Sequence, residues 1–385
     1  MLRHIEAIGS IKAYLDQLME ESTPEAPAWN MEKILSGAKN KWNYIDGCMI
    51  KAILEMHTIT GDKKYLDFAD DFIGHYVTEE GNILTYDPQE FNIDHINEGK
   101  VLFDLYDRLG KEKYRKAIDR VYEQIQTQPR TEEGNFWHKK IYPNQVWLDG
   151  LYMAQPFYMA YETNYNEFKG YKDIFAQFQK VEEKMKDPTT GLYYHGYDSS
   201  KEMFWCDKAT GLSPNFWGRA MGWFVMAIID VIEVMDEQMF YEYRALKTMF
   251  KDVVDALVRV QSPSGMWYQL LDLPEEEGNY LETSASAIIA YAILKGVRLE
   301  VLPERYRQYG LNGFGDICDR YLVEKEGRLS LGGICLVAGL GGKEMRDGSV
   351  AYYVSEPIVE DEAKGVAPFL LCATEVIRFA GGKGK

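Results

Sequence analysis

The chain is poor in the features that would commit it to metal, disulfide, membrane or nucleic acid. Cysteine is scarce: Cys48, Cys206, Cys318, Cys335 and Cys372 stand singly, five in all. No CxxC pair occurs and the count is odd, so neither a disulfide frame nor a zinc cluster is expected, and a reducing compartment is. There is no HExxH, no EF-hand loop and no paired His/Cys spacing, so no metal or cofactor is expected. No uncharged run reaches the length of a membrane span. The first residues, MLRHIEAIGSIKAYLDQLMEE, mix charged and apolar residues from the first turn and lack the apolar block of a secretory signal. A cytoplasmic protein with no membrane partner is the expectation. Positive charge is short as well. Lys and Arg number 43 against 60 Asp and Glu, a formal net charge of −17. Such a surface repels nucleic acid at long range. It also repels an acidic small molecule, so a site for one needs its own local cation.

Apolar bulk is what the chain does have. Hydrophobic residues make up 46% and aromatics 14% of 385 residues, which supports a large core and excludes disorder over most of the length. A glycine followed by aromatic or apolar residues recurs: GNILTY from Gly81, GNFWHK from Gly134, GLYYHGY from Gly191, GMWYQL from Gly265 and GRLSLGG from Gly327. The intervals are 53, 57, 74 and 62 residues, each with room for two helices and their turns. The helices between are of two kinds. Tyr65, Phe68, Ala69, Phe72, Ile73 and Tyr76 form one apolar stripe at helical spacing, and Tyr241–Val260 reads the same way. Ala220–Met235 and Ser286–Val297 are apolar nearly all round and must be covered on most sides. Short turns, TGDKKY and LGKEKY, join the two kinds.

About twelve helices are expected, from Ile5–Met19 to Pro368–Phe379, with strand-like alternation confined to small hairpins in the glycine-led loops. Exposed and buried helices alternating in about six hairpins predict an all-α fold, an (α/α)6 barrel of inner and outer rings, over residues 1–385 as one domain. An open solenoid is the competing architecture.

In a barrel of this kind the loops before the inner helices gather at one end. Polar residues at inner-helix starts then converge: Trp42, Tyr44 and Asp46; Asp94 and His95; Asp149; Trp217, Arg219 and Trp223; Glu282 and Ser284; Tyr352. The glycine-led loops add His138, Lys139 and His195. Acids, bases and indoles at one mouth suit a sugar, whose C–H faces stack on rings while charged groups take hydroxyls and carboxylates. Asp149, inside the apolar stretch NQVWLDGLYM, reads in two ways. It is a first-turn helix carboxylate capping a free N–H, or an acid whose pKa is raised by Trp147, Leu148 and Leu151. Asp94 takes the matching place in the preceding hairpin, so it is the natural second carboxylate. Arg219, ringed by Phe216, Trp217, Met221, Trp223 and Phe224, pairs either with a protein acid or with a substrate carboxylate. Trp217 and Trp223 lie six apart and need not share a helix face. His195, His138 and Lys139 are loop residues able to carry protons or charge. The run VAGLGG, ending at Gly339–Gly342, lacks the strand and helix of a phosphate cradle and reads as a loop.

NQVWLDGLYM, NFWGRAMGW, YYHGYD and NIDH together resemble the unsaturated rhamnogalacturonyl hydrolases, glycoside hydrolase family 105, from about Trp42 to Phe379. The unsaturated glucuronyl hydrolases are a sister family with the same barrel and a related aspartate pair. The resemblance implies an unusual hydrolysis. Such enzymes act on small oligosaccharides whose terminal uronic acid carries a C4=C5 double bond. An aspartic acid protonates C4, water adds at C5, and the hemiketal rearranges and expels the neighbouring sugar, here rhamnose. By the resemblance Asp149 is the general acid/base and Asp94 its supporting aspartate. His195, Arg219, Trp217 and Trp223 match positions lining the uronate pocket, and Tyr44, His138 and Lys139 lie in matching loops. An unsaturated glucuronyl substrate, a conventional two-carboxylate glycosidase and a non-catalytic sugar binder are the alternatives. The partner is then a small unsaturated oligosaccharide, with the protein a monomer or weak homo-oligomer.

Overall fold

The computed structural model describes residues 2–381, with side chains from Ile8 onward. Among these, twelve principal helices alternate between two rings. The outer ring holds α1 (Leu2–Glu20), α3 (Lys63–Tyr76), α5 (Glu112–Thr127), α7 (Tyr171–Met185), α9 (Phe240–Arg259) and α11 (Arg307–Tyr321). The inner ring holds α2 (Tyr44–Thr60), α4, α6 (Leu148–Tyr165), α8 (Gly218–Val234), α10 (Thr283–Arg298) and α12 (Ala363–Ala380). Helix α4 is composite: a turn at Asp94–Asn97, a 3-10 turn at Glu98–Lys100, then Val101–Leu109. Each inner helix packs on the next and α12 returns onto α2, so the ring closes. This is the (α/α)6 barrel that the alternation predicts, not a solenoid.

The two kinds of helix follow from their patterns. On α5, Tyr114, Ala117, Ile118, Val121, Tyr122 and Ile125 are buried at one-face spacing, while the rest of the helix is mostly charged or polar. On α8 nearly every residue from Gly218 to Ile232 is buried, because α6, α10 and α9 cover it. Each large apolar side chain buried this way contributes about 1.5–3 kcal/mol.

Helix boundaries fall within a few residues of the sequence expectation, with one instructive difference. Helix α12 starts at Ala363, five residues before the expected Pro368, because Glu362 caps it by accepting from the Lys364 N–H. Pro368 therefore lies inside the helix and leaves one turn carbonyl without its donor.

The glycines that lead the repeated loops, Gly81, Gly134, Gly191, Gly265 and Gly327, all have positive φ, which is why glycine recurs there. The Gly327 loop is a hairpin of two strands, β3 (Leu322–Lys325) with β4 (Arg328–Leu331), and the Gly81, Gly134 and Gly191 loops are small hairpins closed by the antiparallel bridges Val77–Ile83, Arg130–Phe136 and Lys186–Tyr193, as expected. Beyond these local hairpins, successive loops also pair with one another: strand β1 (Gln145–Trp147) runs antiparallel to β2 (Gly196–Asp198) from the next loop along, Val146 opposite Tyr197. Further stitches, Ile93 N–H to the His138 carbonyl (3.2 Å) and Leu148 N–H to the His195 carbonyl (3.0 Å), tie successive loops around the mouth. The rim is thus a continuous belt carrying the polar residues at the inner-helix starts. No helix among the described residues is long and apolar enough to cross a membrane.

Candidate active site

A cavity of about 220 Å³ opens at the mouth, lined by Asp94, Asp149, His138, Lys139, Trp147 and Tyr44 among others. Asp149 is the second residue of α6. No side chain caps that helix, so the capping reading of Asp149 fails. Its Oδ2 has no hydrogen-bond partner among the described residues, and the imidazole Nε2 of His195 stands 3.2 Å away. His195 is fully buried, and its Nδ1 lies 2.6 Å from the hydroxyl of Tyr353. That hydroxyl is buried and stays protonated, since burial raises its pKa well above the ordinary tyrosine range. The Asp149 carboxylate beside Nε2 favours the tautomer with hydrogen there, which leaves Nδ1 to accept from the Tyr353 hydroxyl.

Asp94 is in a different state. Its Oδ2 sits 2.6 Å from Lys139 Nζ and its Oδ1 3.4 Å from His138 Nε2. Burial would raise its pKa, but Lys139, His138 and His95 together outweigh burial and hold it below the usual aspartate value. Asp94 is therefore an ionised carboxylate at neutral pH. His138 is pushed down to about 4 by burial, so it is neutral there. Its ring stacks on Trp147 (4.4 Å between centroids, 16°), and Trp147 stacks on Tyr142 (5.1 Å, 24°). This three-ring column lines the cavity, and its central ring, Trp147, lies two residues before Asp149 in the chain. The arrangement offers an acid with an unfilled oxygen, a fixed anion–cation pair and an aromatic platform in one hollow.

The Glycosyl Hydrolase Family 88 profile matches residues 15–380. The chain belongs to glycosyl hydrolase family 88. The family 105 likeness read from the motifs holds as well. A solved family 105 glycoside hydrolase from C. acetobutylicum has a TM-score of 0.86 at 45% identity, covering 93% of this chain and 98% of that one. The unsaturated rhamnogalacturonyl hydrolase YesR of Bacillus subtilis is 27% identical over 295 residues, 75% of this chain and 78% of that protein. At the level of fold alone, the unsaturated glucuronyl hydrolase of Bacillus sp. GL1 has a TM-score of 0.65 at 16% identity, over 90% of this chain and 88% of that one. The protein is a glycoside hydrolase built on the family's α/α barrel.

Within this family 88 barrel the sequence-derived residues divide into two groups. Tyr44, Asp94, His138, Lys139 and Asp149 line the cavity together. His195 does not line it but touches Asp149 from behind. Three expectations of direct substrate contact need correction. Arg219 is only 1% exposed, and its guanidinium is engaged by Ser284 Oγ (2.6 Å), the Cys335 carbonyl and Glu282 (3.6 Å). It takes the protein-acid reading and has little left for a uronate. Trp217 is buried, donates to Gln269 Oε1 (3.0 Å) and packs against His195 (4.8 Å between centroids). Trp223 is buried and stacks on Tyr152 (4.7 Å, 12°), inside the barrel. Glu282 caps α10, accepting from the Ala285 N–H at 2.6 Å. Asp46 accepts from Trp29, Asn40 and Asn43, and Trp42 donates to the His95 carbonyl. Those residues serve the scaffold.

Sequence reasoning missed Glu32, Tyr142, Met153, Val337, Ala338 and Arg346 as lining residues. Glu32 lies in a six-residue helix before the first inner helix and bonds to Lys364. Arg346 follows the glycine-rich run. Neither lies at an inner-helix start, so the positional rule that found the others does not reach them.

Proposed function

We propose that this family member removes a terminal 4,5-unsaturated galacturonyl group from rhamnose by hydrating the C4=C5 double bond. The observation that carries the reading is the unequal pair at the cavity. Asp94 is held ionised by Lys139, while Asp149 has an oxygen with no hydrogen bond, set against His195. One carboxylate is thereby fixed as an anion and the other left for proton transfer. Asp149 delivers a proton to C4. Water adds its oxygen at C5, its surplus proton returning to the Asp149 carboxylate, so the net change is C4–H and C5–OH. The C5 hemiketal then opens and the C1 centre releases the rhamnose. The Tyr142–Trp147–His138 column supplies the stacking face. The likeness to YesR supports the galacturonyl–rhamnose choice. The five cysteines are free thiols, which suits a reducing compartment such as the cytoplasm.

The conjugated alkene-carboxylate absorbs in the ultraviolet and hydration abolishes that absorbance. Purified protein mixed with lyase-made rhamnogalacturonan disaccharide is expected to bleach the signal and release rhamnose. A persistent signal, or faster bleaching of an unsaturated glucuronyl disaccharide in a parallel assay, defeats the substrate assignment.

A further inference from the structure

The run VAGLGG (337–342) has no part in the chemistry above, yet it curls around one side chain. Arg346 exchanges backbone hydrogen bonds with Gly341, N–H to carbonyl at 3.1 Å and back at 2.8 Å. Its Nε donates to the same Gly341 carbonyl at 3.0 Å, and its Nη2 to the Tyr142 hydroxyl at 3.1 Å. A Cβ on Gly339 would lie 2.7 Å from Nη1 and 3.0 Å from Cζ. Bare backbone at this position is what admits the guanidinium. Leu340, between the glycines, is buried in a small cluster with Trp147, Trp205 and Cys206. The cradle is thereby fastened to the residue that leads into Asp149.

Charge points the same way. Lys139 and Arg346 are the lysine and arginine on the cavity wall. Lys139 is committed to Asp94 at 2.6 Å. Among the described residues no carboxylate lies within the 4.0 Å ion-pair distance of Arg346. Glu356 interacts with it only beyond that distance, so a half-buried guanidinium in a chain of net charge −17 is left without a direct ion pair. Among the described residues its Nη1 donates no hydrogen bond, and the planar fork matches a carboxylate. Arg219, the other arginine of the region, is already spent on Glu282, Ser284 and Cys335.

We propose that Arg346, held in the 337–342 glycine cradle, binds the carboxylate of the unsaturated uronate and sets the preference for an acidic sugar. This rests on the unsaturated-uronate reading above. The test compares the unsaturated disaccharide as free acid and as methyl ester, with wild type, Arg346→Gln, Arg346→Lys and Gly339→Ala. Wild type is expected to prefer the acid. Arg346→Gln should raise KM for the acid about tenfold or more, as for a lost charged contact, and bring the acid and ester together. The same variant should leave kcat far less affected. Arg346→Lys should recover part of the preference. Gly339→Ala, which keeps the charge but displaces it, should fall between, and it carries the test if Arg346→Gln does not fold. Wild-type acid preference in a folded Arg346→Gln, with turnover intact, overturns the inference and leaves the function standing. No turnover of any unsaturated uronide by wild type overturns both.

Discussion

At the end of the barrel away from the cavity, Lys295 on α10 reaches Asp230 and Glu233 on α8, both at 2.6 Å. Arg298 meets Glu375 at 2.7 Å, Arg378 meets Glu55 at 2.6 Å, and Lys51 meets Asp104 at 2.8 Å. At the mouth, Asp149 at the start of α6 and Arg346 in the loop after the glycine-rich run differ: among the described residues Asp149 has only His195 within ion-pair range, and no carboxylate comes within 4.0 Å of Arg346. The two ends spend charge differently. Paired charges at the floor hold helix to helix, whereas unmatched charges at the mouth are available to a ligand. Lys100 is the floor's exception: its ammonium donates to the Tyr152 hydroxyl and lies 4.0 Å from that ring centroid. Burial lowers its pKa.

Exchanging Asp149 for Asn tests the mouth most severely. We expect kcat to fall by about 10²–10⁴ with the fold retained, as for removal of a positioned acid. Steady-state kinetics beside circular dichroism read this out, and near-normal turnover would mean the unmatched acid has no chemical part. The floor should respond in the opposite sense. Glu375→Gln removes an acid shared by Arg298 and Arg378, which keep Glu233 and Glu55, and should lower stability by about 1.5 kcal/mol in denaturant unfolding, while KM stays at its wild-type value. A shift in KM instead would blur the division between the ends. Tyr353→Phe removes the bond that His195 Nδ1 accepts; loss of one hydrogen bond predicts about a tenfold drop in kcat. The pH–rate profile should move with it, which a purely packing role for Tyr353 would not cause.

The smallest expected effect is in pH dependence. His138 titrates at about 4 in the fold because it is buried, against about 6.5 in an unfolded chain. Above the unfolded value neither state holds the proton and His138 contributes nothing. As pH falls from there towards 4 the unfolded state takes a proton that the fold refuses, so stability declines. At the floor, burial alone would raise Glu55, but Lys51 and Arg378 hold it at about 2. Its stabilisation is present above the unfolded value of about 4.3 and is lost as pH falls through the folded one. Stability of His138→Asn relative to wild type should therefore improve between pH 6.5 and 4, and that of Glu55→Gln only below that window. Urea unfolding at stepped pH measures both, and a flat His138→Asn difference would show that the mouth histidine is not held neutral.

Much of the molecule was legible beforehand, for identifiable reasons. Helical spacing in Tyr65–Tyr76 and the all-round apolarity of Ala220–Met235 assigned outer and inner helices, because each pattern states how many sides must be covered. The rule that inner-helix starts converge brought Tyr44, Asp94 and Asp149 to one cavity. It failed for Arg219, Trp217 and Trp223, which occupy similar positions but point into packing already supplied with partners. It could not reach Glu32 or Arg346, which lie off the repeat.

Sequence alone determined the alternation of rings, the gathering of acids at one end and the need for a local cation, since these depend on composition and spacing along the chain. Which cation remains free was decided only by tertiary structure. Glu282 silences Arg219 from 63 positions away, and Tyr142 steadies Arg346 across 204. A charge is available to a ligand only when its neighbours in space, not in sequence, leave it unmatched.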